Sequence, residues 1–159
     1  MDGIIVFCAR YLFIFVVLGL ALAWLPLSKK AKIQFIVATI LAGIVAFILS
    51  RIGGHFYVDQ RPFVAQHVKP LLAHAADNGF PSDHALLTGT LTAITYFFNK
   101  KIANIMLVLT IIIGIARVLA RVHSPLDIAG GWVFGVIGAL AGYYLMRWIF
   151  NKYFARKIS

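Results

Sequence analysis

The chain has 159 residues, 62% of them hydrophobic, with 15 Lys and Arg against 5 Asp and Glu and a formal charge of +10. That apolar excess excludes an ordinary soluble domain and points to an integral membrane protein. The basic residues fall in short clusters between apolar runs, which argues against a nucleic-acid partner, and the single Cys8 excludes an internal disulfide.

Apolar segments run over about 4–27, 33–50, 85–98, 102–120 and 125–150. A spanning helix needs about 20 residues, so the first, second, fourth and fifth have the right length. The first reads as a retained span: it has no basic start, carries Arg10 inside it and shows no small-residue cleavage site. The third is short and carries Thr88, Thr90, Thr92 and Thr95, so it is expected to borrow its first turn from the polar residues before it. Residues 1–159 thus predict one all-α domain, a polytopic bundle of about five spans.

Charge orients that bundle. Lys29, Lys30 and Lys32 follow the first segment, Lys100 and Lys101 the third, and Arg147, Lys152, Arg156 and Lys157 the fifth. With five spans these clusters share one face, which the positive-inside rule makes cytoplasmic. All the acids (Asp2, Asp59, Asp77, Asp83 and Asp127) then lie opposite, with the long connection 51–83. Long ordered connections often carry function, and Val64–Ala76 is expected to form a short interfacial helix there.

Two polar knots interrupt the apolar chain at this opposite face. In Ser124-Pro125-Leu126-Asp127, Ser suits an N-cap, Pro the first helical position and Asp the positive end of a helix. His123 precedes this start. Asp127 can accept a bond from one imidazole nitrogen and leave the other free to attack; the same residues also read as a cap beside an interfacial histidine. Pro81-Ser82-Asp83-His84 repeats the pattern, with Ser82 as cap, free backbone N–H groups as a phosphate seat and His84 as a proton donor. It also reads simply as a capped helix with a surface histidine. Arg117 and Arg121, one turn apart, and Arg61 before Pro62 supply guanidinium forks for phosphate oxygens, unless they only reach to lipid headgroups. Arg51 and Arg10 fit the headgroup role better. Gly131, Gly135, Gly138 and Gly142 form a small-residue ridge expected to serve packing.

Taken in order, Arg61-Pro62, Pro81-Ser82-Asp83-His84 and Arg117-x5-His123-x3-Asp127 resemble the type 2 phosphatidic acid phosphatase (PAP2) superfamily. The resemblance implies a phosphatase that needs no metal and no cofactor. His123 would attack phosphorus, Asp127 would orient it and His84 would protonate the leaving group. Arg61, Arg117, Ser82 and backbone N–H groups near Asp83 would hold the phosphoryl oxygens. Gly54 stands where the family usually has Lys, so His55 or Arg121 would substitute for that charge. Asp83 stands where the family usually has Gly, and Ala116 where it usually has Ser. The Asp83 variant resembles the bacitracin-resistance type of undecaprenyl-diphosphate phosphatase. That type implies a lipid diphosphate substrate and a bacterial cytoplasmic membrane with the site facing outward. The alternatives are a phosphatidylglycerophosphate or phosphatidate phosphatase, and a lipid-phosphate binder or transporter without turnover.

Overall fold

The computed structural model describes residues 1–154; Arg156 and Lys157 of the last basic cluster lie outside the described residues. Seven helices follow in order among the described residues: α1 (Asp2–Tyr11), α2 (Phe13–Trp24), α3 (Lys29–Phe56), α4 (Pro62–Ala65), α5 (Asp83–Tyr96), α6 (Lys100–Leu119) and α7 (Pro125–Phe154). Three of them, α3, α6 and α7, are long and apolar enough to cross a membrane, and α1 with α2, bent by 41° at the break between them, reaches that length only when the pair is taken as one.

The remaining apolar segment becomes α5, only 14 residues long. At about 1.5 Å per residue it is shorter than a hydrocarbon core of about 30 Å. Its position explains how it tolerates that length and its threonines. It packs against α2, α3, α6 and α7, so protein surrounds it rather than lipid. Thr88, Thr90 and Thr95 turn their hydroxyls back to carbonyls one turn earlier, at 2.7–2.8 Å. Thr92 meets Thr110 of α6 at 2.9 Å. Each hydroxyl is therefore satisfied inside the bundle, as burial demands.

The glycines of α7 serve two faces. A Cβ at Gly131 or Gly135 would strike the backbone of α5, and one at Gly138 or Gly142 the backbone of α3. Ala38, Ala42 and Ala46 form the matching small ridge on α3, all buried. So α7 is wedged between α3 and α5 at backbone contact distance, and its first turn is held in place.

Basic side chains lie over aromatic rings near the helix ends, as interfacial anchors do: Lys32 over Trp24, Lys100 over Tyr96 and Lys152 over Trp148. The expected helix over Val64–Ala76 does not form. Only α4, a single turn, is helical, and His67 follows its C-cap with a φ of 52°. Pro70 cannot continue a helix, and the next N–H, on Leu71, bonds to Ala120 at the end of α6. The connection is thus tied to the end of α6, through Leu71 to Ala120 and Phe63 to Arg121.

Candidate active site

The start of α7 is built as a reciprocal cap. Ser124 Oγ accepts the Asp127 N–H at 3.2 Å, and Asp127 Oδ2 accepts the Ser124 N–H at 2.9 Å. The same Oδ2 lies 3.1 Å from His123 Nδ1. An ionised carboxylate only accepts, so Nδ1 carries the proton and Nε2 keeps its lone pair. Both residues are buried, His123 at 2% exposure and Asp127 at 0%. Asp59 extends the chain of contacts, its Oδ2 taking the Ser124 hydroxyl at 2.6 Å. Gly79 closes over the carboxylate: a Cβ there would sit 2.7 Å from Asp127 Oδ2, so no side chain fits.

Arg61 reaches this pair from the loop. Pro62 opens α4 and holds Arg61 extended, with φ −56° and ψ 140°, as expected of a residue before proline. Its Nη1 donates to Val122 O at 2.8 Å and lies 3.4 and 3.3 Å from the two nitrogens of His123. A nitrogen so evenly placed lies over the imidazole rather than at one lone pair. Nε donates to Asp77 at 2.8 Å and Nη2 to Asn78 O at 3.3 Å. Asn78 in turn uses its whole amide. It donates to Gly54 O and Tyr57 O and accepts from the N–H groups of Asp59 and Phe80. The loop is thereby pinned to the end of α3.

Arg117 is 4% exposed at the end of α6. Nη1 donates to Ala9 O of α1 at 3.2 Å, Nη2 lies 3.2 Å from His74 Nε2, and Nε is buried with no protein partner. The His74 ring stands edge-on to His123 with centroids 5.8 Å apart.

Ser82 is the N-cap residue of α5, but its hydroxyl makes no capping bond; it is fully buried and has no hydrogen-bond partner among the described residues. Its N–H is engaged by Asp127 O at 3.1 Å. His84, in the first turn, packs edge-on against Phe13 at 5.3 Å; burial, and after it the charges of Arg117, His123 and His74, push its imidazole well below the ordinary histidine value. The Asp83 carboxylate points away to solvent and pairs with Arg51 at 3.3 Å. Arg51, expected at lipid headgroups, thus has a carboxylate partner within the chain.

Two expected residues are separated from this group. Arg121 does not share a face with Arg117, because α6 ends at Leu119 and Arg121 adopts a φ of 61°. The Arg121 N–H bonds Val118 O and the Val122 N–H bonds Arg117 O, a helix-terminating motif that turns the exposed Arg121 outward. His55 is also exposed and stacks edge-on with Phe56. It lines a neighbouring polar cavity of about 360 Å³ with Arg51, Gly54, Arg61, Asp77 and Asp83. His55, one of the two candidates to replace the missing lysine, thus borders a cavity that Arg61 also borders.

The structure also brings in residues to which the sequence assigned no role: Asp59, His74, Asp77 and Asn78. A turn signal in Asp77-Asn78-Gly79 was available. Nothing local marks His74.

Charge and burial act together here. Burial pushes the His123 imidazole below the ordinary histidine value, and the Arg117 and Arg61 charges act in the same direction, while the bond to Asp127 opposes them. Partial burial and the same two arginines lower His74. The hydrogen bond from Arg61 holds the Asp77 carboxyl below its usual range. The result is a base-form imidazole nitrogen among buried guanidiniums, a setting that attracts an oxyanion and leaves a nucleophile unprotonated.

The PAP2 superfamily model matches residues 31–151, well over half of the chain. Among curated relatives, the bacitracin transport permease protein BcrC of Bacillus licheniformis is 37% identical over 88% of this chain and 69% of its own length. The undecaprenyl-diphosphatase BcrC of Bacillus subtilis strain 168 is 31% identical over 86% of this chain and 70% of its own. The putative undecaprenyl-diphosphatase YbjG of Escherichia coli K12 is 31% identical over 98% of this chain and 79% of its own. Arg61, Ser82, His84, Arg117, His123 and Asp127 lie inside the matched region, and the chain belongs to the PAP2 superfamily of phosphatases.

Proposed function

We propose that this chain hydrolyses undecaprenyl diphosphate, or a close polyprenyl diphosphate, to the monophosphate through a phosphohistidine on His123. The observation that carries the reading is the Nδ1 bond of His123 to buried Asp127, which leaves Nε2 free beside the Arg61 guanidinium. Ser82 Oγ and Arg117 Nε are buried donors without partners among the described residues, and phosphoryl oxygens would satisfy both.

In the first step His123 Nε2 forms a bond to the terminal phosphorus as the bond to the bridging oxygen breaks. The negative charge of the bound diphosphate offsets the burial and cationic neighbours that keep His84 neutral, so His84 takes up a proton as substrate binds and gives it to that oxygen, and the lipid monophosphate leaves. Water then attacks the phosphohistidine, returns a proton to His84 and releases inorganic phosphate. Arg61 and Arg117 stabilise charge on the equatorial oxygens in both steps, the main requirement of phosphoryl transfer. No metal takes part. A lipid monophosphate is a better leaving group than the alkoxide-like oxygen of phosphatidate, which suits a site with Gly54 where the family usually has lysine.

The relatives named undecaprenyl-diphosphatase support this substrate. The charge pattern supports a bacterial cytoplasmic membrane with the site on the extracytoplasmic face. One relative bears a transport name, which keeps a binder or transporter as the rival reading. Phosphate release from undecaprenyl diphosphate, phosphatidylglycerophosphate and phosphatidate, measured for the purified chain in detergent with chelator, separates these. The expected result is release in chelator with the highest kcat/KM for the diphosphate. Preference for phosphatidate overturns the substrate, dependence on added magnesium overturns the mechanism, and binding without release makes the chain a carrier.

A further inference from the structure

The connection between α4 and α5 delivers a side chain to each of the two buried arginines. Asp77 takes Arg61 Nε at 2.8 Å, and His74 Nε2 lies 3.2 Å from Arg117 Nη2. Arginine only donates, so at this contact His74 Nε2 is the acceptor and the proton of the neutral ring is on Nδ1. On its other side Arg117 is held by Ala9 O at 3.2 Å. Those two bonds hold one terminal nitrogen each. They leave Nε and one hydrogen on each terminal nitrogen uncommitted. The His74 ring also stands 5.8 Å from the His123 ring, so the imidazole that holds Arg117 walls the nucleophile as well.

We propose that His74 is a positioning residue of the phosphoryl site, accepting a hydrogen bond from Arg117 and keeping its uncommitted N–H groups aimed at the phosphoryl oxygens beside His123. The inference rests on the phosphatase reading above. A lysine or arginine at 74 could not do this, because neither accepts a hydrogen bond and each would repel Arg117. Glutamine can, since its side-chain oxygen reaches about as far from the backbone as Nε2 does. His74 lies on an exposed loop, so truncation there leaves the helix packing alone.

The test compares wild type, His74→Ala and His74→Gln, each purified whole in detergent, for phosphate release from undecaprenyl diphosphate and for inhibition by orthovanadate. A thermal melt of each variant controls for folding. His74→Ala is expected to lower kcat/KM about ten- to hundredfold, the effect of losing one hydrogen bond to a charged group, and to weaken vanadate inhibition in parallel. His74→Gln is expected to recover most of both. Wild-type kinetics in His74→Ala, or equal impairment of the Gln and Ala variants with unchanged melts, overturns the role of His74 alone. Absence of phosphate release by wild type from any lipid phosphate overturns the phosphatase reading, and this inference with it.

Discussion

Asp127 Oδ2 takes the Nδ1–H of His123 at 3.1 Å and the backbone N–H of Ser124 at 2.9 Å, so one oxygen sets both an imidazole and the start of α7. The two roles separate in Asp127→Asn. The amide oxygen of asparagine can still accept the Ser124 N–H in this reciprocal cap, so the fold should survive. The charge that supports the histidine is lost, and kcat should fall by roughly 10²–10⁴, the range a positioned proton-handling group contributes. Turnover near wild type would leave Asp127 a helix cap and nothing more.

Acid sensitivity follows from the sign of the shift at His123. Burial and the neighbouring arginines lower its pKa below 6.5, so the neutral nucleophile persists to lower pH than for a free imidazole. The unfolded chain takes up that proton first as pH falls, so His123 destabilises the fold progressively below the ordinary histidine value. Titration of ¹⁵N-histidine-labelled protein should show this imidazole protonating below 6.5. Asp127→Asn should lower it further by removing the contacts that oppose the shift. An upward move in that variant would contradict the arrangement.

The Gly54 position tests whether the family's usual charge can be restored. A Cβ there would lie 3.0 Å from the carbonyl oxygen of Phe80, and the Gly54 carbonyl itself holds the Asn78 amide. Gly54→Lys should therefore reduce kcat/KM for diphosphate and monophosphate lipids alike, by disturbing the loop that carries Arg61. A selective gain on monophosphates would mean the Phe80 segment gives way and the added charge reaches substrate.

Packing at α7 should be equally intolerant of added volume. A Cβ at Gly138 would meet Ala42 O of α3 at 2.7 Å. Gly138→Ala should cost about 1–3 kcal/mol, as overpacking does, and lower the melting temperature in detergent. An unchanged melt would show that the α3–α7 seam is looser than these contacts.

Sidedness can be read by labelling. In a Cys8→Ser background, a cysteine at Ala76 should react with a membrane-impermeant maleimide from outside intact cells, and one at Asn151 only after permeabilisation. Both positions are exposed. Reaction of both from outside would place the basic clusters and the candidate site on different faces from those argued here.

What could be read in advance was what lies close in sequence. Ser124, Asp127 and His123 interact within one turn, so residue types and spacing were enough to place the cap and the imidazole bond. The bond between His74 and Arg117 spans 43 residues and that between Arg61 and Asp77 spans 16, and no local pattern encodes either. Arg121 was misplaced for a subtler reason. The spacing of Arg117 and Arg121 assumes that the helix continues, whereas α6 stops between them and a left-handed residue reverses the direction of the second side chain. The absent helix over 64–76 has the same origin: His67 and Pro70 end it, and tertiary bonds to α6 claim its backbone.

The fully engaged amide of Asn78 has a consequence for how the protein ages. Asparagine followed by glycine, as in Asn78-Gly79, is the sequence most exposed to spontaneous deamidation, and asparagine is among the thermolabile residues. Conversion to aspartate would replace the two N–H donors facing Gly54 O and Tyr57 O with an oxygen that repels both. The loop carrying Arg61 would lose both of these bonds to the end of α3 without any mutation. Stored protein should lose activity in step with the deamidation mass shift in the peptide containing Asn78, and Gly79, pressed against Asp127, cannot be exchanged for a slower-reacting neighbour to prevent it.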